Sequence, residues 1–220
     1  MRTRIKICCM ASVEEAQLAV AAGADAVGLV ADMPSGPGPI PDGLIAKIAA
    51  SVPPPVTPFL LTQRDDAAGV LAHVRETGVT TVQLVRHVEP KVHGELKTAL
   101  PWLKIVQVVH VEDEAAVEVA RLYAKTADAL LLDSGRPSLA VAELGGTGRA
   151  HDWAISRCIV QAVHRPVFLA GGLTPDNAAE AITRVRPYGL DLCSGVRTLG
   201  RLDPVKLDAF MKAVRAQDLP

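Results

Sequence analysis

Eight short aliphatic runs, each followed by an amphipathic stretch, divide the 220-residue chain into units of similar size. Arg4 to Cys9 reads as a first strand, and Ser12 with Glu15 three residues on forms a capping box for a helix that Gly23 ends. Asp25 to Val30 follows, then a Pro/Gly-rich loop from Pro34 to Pro41 and a helix over Asp42 to Ser51. The third and fourth units pair Thr57–Leu61 with Asp65–Thr77, and Thr80–Val85 with Glu89–Ala99. The fifth pairs Leu103–Val109 with Glu112–Lys125. Asp128–Leu132 leads through a long glycine-bearing loop to a helix at Asp152–Val163, and Val167–Ala170 leads to a helix starting at Pro175. The last unit is Leu190–Cys193 with a helix from Asp203 to about Ala216. β-Strand–helix alternation with right-handed crossovers and no break in composition predicts an α/β protein, a single (β/α)8 TIM barrel forming one domain over residues 1–220.

Composition removes several alternatives. Lys plus Arg number 23 against 24 Asp plus Glu, so no basic field exists to attract nucleic acid or an anionic membrane surface. Aromatic residues at 3% provide no platform for stacking bases. The apolar run Ile7 to Ala11 is too short for a signal-peptide core, and no run is long enough to span a bilayer. Four cysteines without CxxC spacing and six scattered histidines indicate neither a disulfide framework nor a metal site. The expected setting is the cytoplasm, as a monomer or homodimer, with no nucleic-acid or membrane partner.

In a barrel of this kind the chemistry gathers where strands end. That filter leaves Cys8 and Cys9 after the first strand, Asp133 after the sixth, and glycine clusters after the last three: Gly145-Gly146-Thr147-Gly148, Gly171-Gly172 and Ser194-Gly195. Glycines there let backbone N–H groups approach an anion closely, which points to a phosphate site; the alternative is a set of tight turns. A carboxyl at the end of an apolar strand is desolvated and holds its proton more tightly, which suits Asp133 to a general-acid role, with a capping or loop-acceptor role as the alternative. Alternation along a strand predicts that Cys8 and Cys9 point to opposite faces, with Lys6 on the face of Cys8. A charge inside a barrel strand needs a purpose. A thiol at the mouth serves as base or nucleophile only in a suitable electrostatic setting, and is otherwise inert packing. Arg197 and Arg201 follow the last strand, where they help bind an anion or remain solvated.

Lys6-Ile7-Cys8, Gly23-Ala24-Asp25-Ala26, Val82-Gln83-Leu84, Leu130-Leu131-Leu132-Asp133 and Gly145-Gly146-Thr147-Gly148 occur in this order. They are followed by Asp152-Trp153, Leu169-Ala170-Gly171-Gly172-Leu173, Asn177, Arg186-Pro187-Tyr188-Gly189 and Ser194-Gly195-Val196. Over essentially its whole length the chain resembles the phosphoribosylanthranilate isomerases of tryptophan biosynthesis. The resemblance implies a cofactor-independent Amadori rearrangement of a small sugar phosphate. Cys8 is then the general base and Asp133 the general acid. Gly146, Gly148, Gly171, Gly172, Ser194 and Gly195 bind phosphate, while Lys6, Gln83, Arg86 and Arg197 contact the rest of the substrate.

The chain departs from the family pattern at defined places. Cys9 stands where the family has glycine, and Ser35-Gly36-Pro37 where it has Ser-Pro-Arg, whose arginine pairs with the anthranilate carboxylate. Val85-Arg86 replaces His-Gly, and Arg197 replaces glutamate. Arg86 and Arg197 are therefore the expected substitutes for the missing carboxylate contact. The alternatives are a diverged paralogue acting on another sugar or polyol phosphate, or a non-catalytic barrel that only binds a phosphate ligand. Retention of both Cys8 and Asp133 argues against the last of these.

Overall fold

Every position of the second, sixth and seventh strands is buried and most are aliphatic, the pattern of parallel strands covered on both faces. In a computed structural model that describes residues 2–34, 36–135 and 151–218, they form a closed barrel. Its strands are β1 (Arg4–Ile7), β2 (Ala26–Val30), β3 (Thr57–Thr62), β4 (Thr81–Leu84), β5 (Lys104–His110), β6 (Ala129–Asp133), β7 (Val167–Leu169) and β8 (Gly189–Leu192). All are parallel and in sequential order, and β8 returns to β1 in the register Lys6↔Asp191.

The helices follow their strands: α1 (Val13–Ala21), α2 (Asp42–Ser51), α3 (Ala67–Thr77), α4 (Pro90–Ala99), α5 (Ala116–Tyr123), α6 (Trp153–Ala162), α7 (Ala178–Val185) and α8 (Pro204–Gln217). A small hairpin, β9 (Arg197–Thr198) and β10 (Arg201–Leu202), precedes α8 and was not expected from sequence. At α1, Ser12 Oγ caps the helix by accepting from Glu15 N, while Glu15 Oε2 reaches one residue past the cap to accept from Ala11 N in place of the Ser12 amide. Two helices start later than their sequence signals. Asp113 ties the Ala115 amide into a turn before α5. Asn177 accepts from Thr174 N and donates to Gly172 O, bracing the loop before α7.

Two apolar layers result. The outer one lies between strands and helices; the inner one fills the barrel with Phe59, Leu61, Val106, Val108, Leu131 and Phe168. Phe59 and Phe168 meet edge to face with centroids 6.0 Å apart. Gly189 leaves room for Phe168, since a Cβ there would lie 2.8 Å from the ring. The interior is thus packed below, which confines the chemistry to the end where the strands finish.

Candidate active site

The polar residues of the inner layer cluster around the seam between β8 and β1. Lys6 is fully buried, and its Nζ lies 2.9 Å from Asp191 Oδ2 and 5.5 Å from the centre of the Phe59 ring. Burial works to strip the proton from this ammonium, but the Asp191 carboxylate, with Cys8 and Cys9 acting in the same sense, more than offsets it and holds the Lys6 pKa above its usual value. Lys6 therefore stands as a charged group in the barrel interior. Its partner Asp191 went unrecognised in the sequence, although an inward lysine on β1 calls for an inward acid on an adjacent strand.

Cys8 extends the inner face of β1 just beyond the strand, with its amide donating to Leu192 O at 2.8 Å. Gly28 on β2 makes space for it: a Cβ at that position would lie 2.5 Å from Cys8 Sγ and 3.1 Å from Lys6 Nζ. The expectation that Cys8 and Cys9 point to opposite faces is not met. Cys9 takes φ 64°, and both side chains join the same inner apolar cluster. The left-handed step ends the strand's alternation, which explains the departure.

Asp133 ends β6 in register with His110, the last residue of β5. Burial pushes its carboxyl pKa up, and nearby Asp191 acts in the same sense, while the Ser134 amide, His110 and Lys6 oppose it. Ser134 N donates to Asp133 Oδ1 at 2.7 Å. His110 donates from Nε2 to Val85 O at 3.0 Å, and its Nδ1 is buried with no hydrogen-bond partner among the described residues. Gln83, on β4, is also buried, and its Oε1 is likewise without such a partner. Lys6, Cys8, Asp133 and Asp191 thus form one electrostatically coupled group at the mouth.

The two arginines differ in position. Arg86, after β4, donates from Nη2 to Gln63 Oε1 at 3.0 Å, and Gln63 in turn donates to Asp32 O at 3.0 Å. Its backbone carbonyl accepts from Gln107 Nε2 at 2.8 Å. The chain of contacts spans the ends of β2, β3 and β4. Arg197 instead packs at the seam against Glu15 of α1 and the backbone after β1. Its Nη2 reaches Glu15 Oε2 at 2.9 Å and the Cys9 carbonyl, and its Nη1 reaches Gly200 O at 2.8 Å. Partial burial works to raise the Glu15 pKa, but Arg197 and the Leu202 and Ala11 amides outweigh it and hold the carboxyl below its usual range. Arg197 is a brace for the backbone behind Cys8.

The loops after β7 and β8 press together: a Cβ on Gly195 would meet the Leu173 carbonyl oxygen at 2.0 Å. Gly171 and Gly172 have φ of 82° and 65°, which L side chains rarely adopt. Ser194 and Gly195 form a single 3-10 turn beside them. Gly146 and Gly148, expected to complete the phosphate loops, lie outside the described residues. Among those described, no three His, Cys, Asp or Glu side chains are grouped to hold a metal ion, and no helix is long and apolar enough to cross a membrane.

Fold and site together define a (β/α)8-barrel protein with a buried acid and a thiol at one mouth. The model of the N-(5'-phosphoribosyl)anthranilate (PRA) isomerase family matches residues 5–213, and the chain belongs to that family. It is 41% identical over 212 residues to N-(5'-phosphoribosyl)anthranilate isomerase 2 of Methanosarcina mazei, covering 94% of this chain and 92% of that one. It is 39% identical to the isomerase of Haloferax volcanii, covering 97% and 93%. Among solved structures, the phosphoribosyl anthranilate isomerase of Thermus thermophilus superposes with a TM-score of 0.83 at 29% identity, covering 97% and 99%. A family structure in complex with reduced 1-(o-carboxyphenylamino)-1-deoxyribulose 5-phosphate gives 0.81 at 26% identity, with the same coverage.

Proposed function

We propose that this chain, as one cytoplasmic barrel domain, isomerises N-(5'-phosphoribosyl)anthranilate to 1-(2-carboxyphenylamino)-1-deoxyribulose 5-phosphate. The observation that supports the assignment of roles is the buried Asp133 carboxyl, whose pKa desolvation pushes up at the same mouth as Cys8. Asp133 donates its proton to the furanose ring oxygen as the C1–O bond breaks and the substrate nitrogen forms a protonated imine. Cys8, as the general base, then takes the C2 proton, and the resulting enolamine tautomerises to the ketone. Protons move within one molecule and no net oxidation occurs, so acid–base groups suffice.

The loops carrying Gly171, Gly172, Ser194 and Gly195, together with Gly146 and Gly148, are assigned to the phosphate. Lys6 balances charge beside Cys8, and Gln83 offers a buried acceptor to a sugar hydroxyl. Of the two arginines, Arg86 is the better fit to the aromatic carboxylate, because both terminal nitrogens of Arg197 are already bound.

The test is growth of a tryptophan auxotroph lacking this isomerase. The chain is expected to rescue it, while Cys8→Ala and Asp133→Asn lower kcat by about 10²–10⁴-fold and fail. A soluble chain that never rescues refutes the assignment. Arg86→Ala is expected to raise KM by roughly 10- to 100-fold, the loss of one charge-assisted contact, with a smaller change in kcat. An unchanged KM removes Arg86 from the carboxylate site.

A further inference from the structure

Three of the four cysteines meet at the seam, and the acid–base scheme uses only one of them. Cys193 directly follows β8, and the β8–β1 register places it beside Cys8 and Cys9. Cys8 and Cys9 belong to one inner cluster, Cys193 packs against that cluster, and the Cys9 thiol interacts electrostatically with both Cys193 and Cys8. Cys9 donates its S–H to Pro37 O at 3.6 Å, under the loop after β2. Continuing the Ile7↔Leu192 pairing by one residue sets Cys193 level with Cys8 and one position from Cys9, across strands about 4.8 Å apart.

The two thiols differ in character. The Cys193 and Cys8 thiols and burial all push the Cys9 pKa up. Cys9 and the Arg197 guanidinium push the Cys193 pKa down, against burial and Asp191. Cys193 is also the more exposed of the pair. A thiol with a lowered pKa beside one with a raised pKa is the arrangement of an attacking and a resolving cysteine.

We propose that Cys9 and Cys193 are a peroxide-sensitive modification site whose disulfide reversibly disables the mouth of the barrel. The Cys193 thiolate attacks hydrogen peroxide, breaking the O–O bond and releasing hydroxide to leave Cys193 as a sulfenic acid. The Cys9 sulfur then displaces that hydroxyl; its proton and the hydroxyl leave as water, and the S–S bond forms. Peroxide is reduced and the two thiols are oxidised by two electrons. A disulfide holds its sulfurs at about 2.05 Å. Closing the two thiols to that length draws the Cys9 backbone toward β8 and moves Cys8 by on the order of 1 Å. A displacement of that size at a reacting group lowers turnover by roughly 100-fold. The disulfide is independent of the proposed activity, whereas its effect on turnover rests on that activity and on Cys8.

The experiment treats the reduced protein with hydrogen peroxide in a Cys158→Ser background, which removes the exposed thiol on α6. Mass spectrometry of the digest is expected to show a Cys9–Cys193 linked peptide pair, lighter by two hydrogen atoms than the reduced pair. Activity is expected to fall about 100-fold and to return with dithiothreitol. Cys9→Gly, which suits the left-handed backbone there, and Cys193→Ser are each expected to keep basal activity and to lose the reversible inactivation. Absence of the linked pair from oxidised protein overturns the proposal, whatever the activity. So does reversible inactivation of equal extent in Cys9→Gly. If the pair forms and activity persists, the disulfide stands and its disabling effect is overturned.

Discussion

Replacing Asp191 with asparagine leaves the shape of the interior almost unchanged and removes one of its two partnered charges. Lys6 then remains fully buried, with the ammonium 2.9 Å from a neutral amide in place of a carboxylate. Removing one member of a buried pair strands the other, at a cost of about 3–5 kcal/mol. For a chain of this size that corresponds to a fall in melting temperature of roughly 6–20 °C. The pH dependence makes the cause identifiable. In the native protein the Lys6 pKa is raised, so its contribution is complete below about 10.5 and is lost only as pH rises through the higher folded value. Stability should therefore show no Lys6 signature between pH 7 and 9.5. In Asp191→Asn the desolvation loses its main opponent, with only the weaker influence of Cys8 and Cys9 against it, and the folded pKa should drop below the unfolded one. The unfolded state then binds the extra proton, and the variant should regain up to about 1.4 kcal/mol per pH unit over that interval. Urea denaturation at a series of pH values, alongside the paired replacement Lys6→Met with Asp191→Leu, is the assay. The paired variant should be close to the parent in stability. A single variant that loses less than about 1 kcal/mol, or that gains nothing with rising pH, refutes the reasoning.

Two other expectations follow from the same interior and its rim. Gly28→Ala puts a Cβ 2.5 Å from Cys8 Sγ and 3.0 Å from Cys8 Cα, so it should cost about 1–3 kcal/mol and lower kcat far more than it raises KM. Gly43→Ala, where nothing lies within 4 Å, is the control and should gain a few tenths to about 1 kcal/mol in the same melting and kinetic assays. Burial pushes the His151 pKa down to about 4, with Asp152 opposing, while Nε2 lies 2.6 Å from Ser156 Oγ. A depressed folded value means stability that is complete above about pH 6.5 and lost as pH falls toward 4. The parent should lose up to roughly 3 kcal/mol more than His151→Gln over that interval, and parallel pH profiles would contradict the buried, neutral imidazole.

The barrel was legible because its signal is repeated eight times, so an error at one boundary could not change the architecture. Strand ends were accordingly off by no more than a residue or two, with Asp133 and His110 inside strands that sequence had closed one position early. The site was legible where a residue type is improbable for its place: a carboxyl ending Ala129–Leu132, and a lysine inside β1. Asp191 was not found, because one acid flanked by leucines carries no distinctive local signal until its neighbour across the seam is known. The Cys9 geometry failed for a related reason. A left-handed residue ends the alternation on which the facing of Cys8 and Cys9 was inferred, and cysteine gives no hint of positive φ. Arg197 shows the same limit, since its partner Glu15 is 182 positions away and already explained by the capping box.

That long separation has a meaning for how the chain reaches its working form. Cys8 and Lys6 arrive with the first unit, Asp191 and Cys193 with the eighth, and Arg197 stitches the two together through Glu15 and the Cys9 carbonyl. Until β8 docks, Lys6 has no counter-charge, and a barrel closed without it would bury a lone ammonium. The ion pair therefore acts as a check on completeness: the first strand cannot settle into its final environment before the last one is made. Contacts of such range are formed late, because the intervening chain must already be ordered before they bring any gain. A truncated or partly synthesised chain would then be open at its seam, with Cys8 out of its final place.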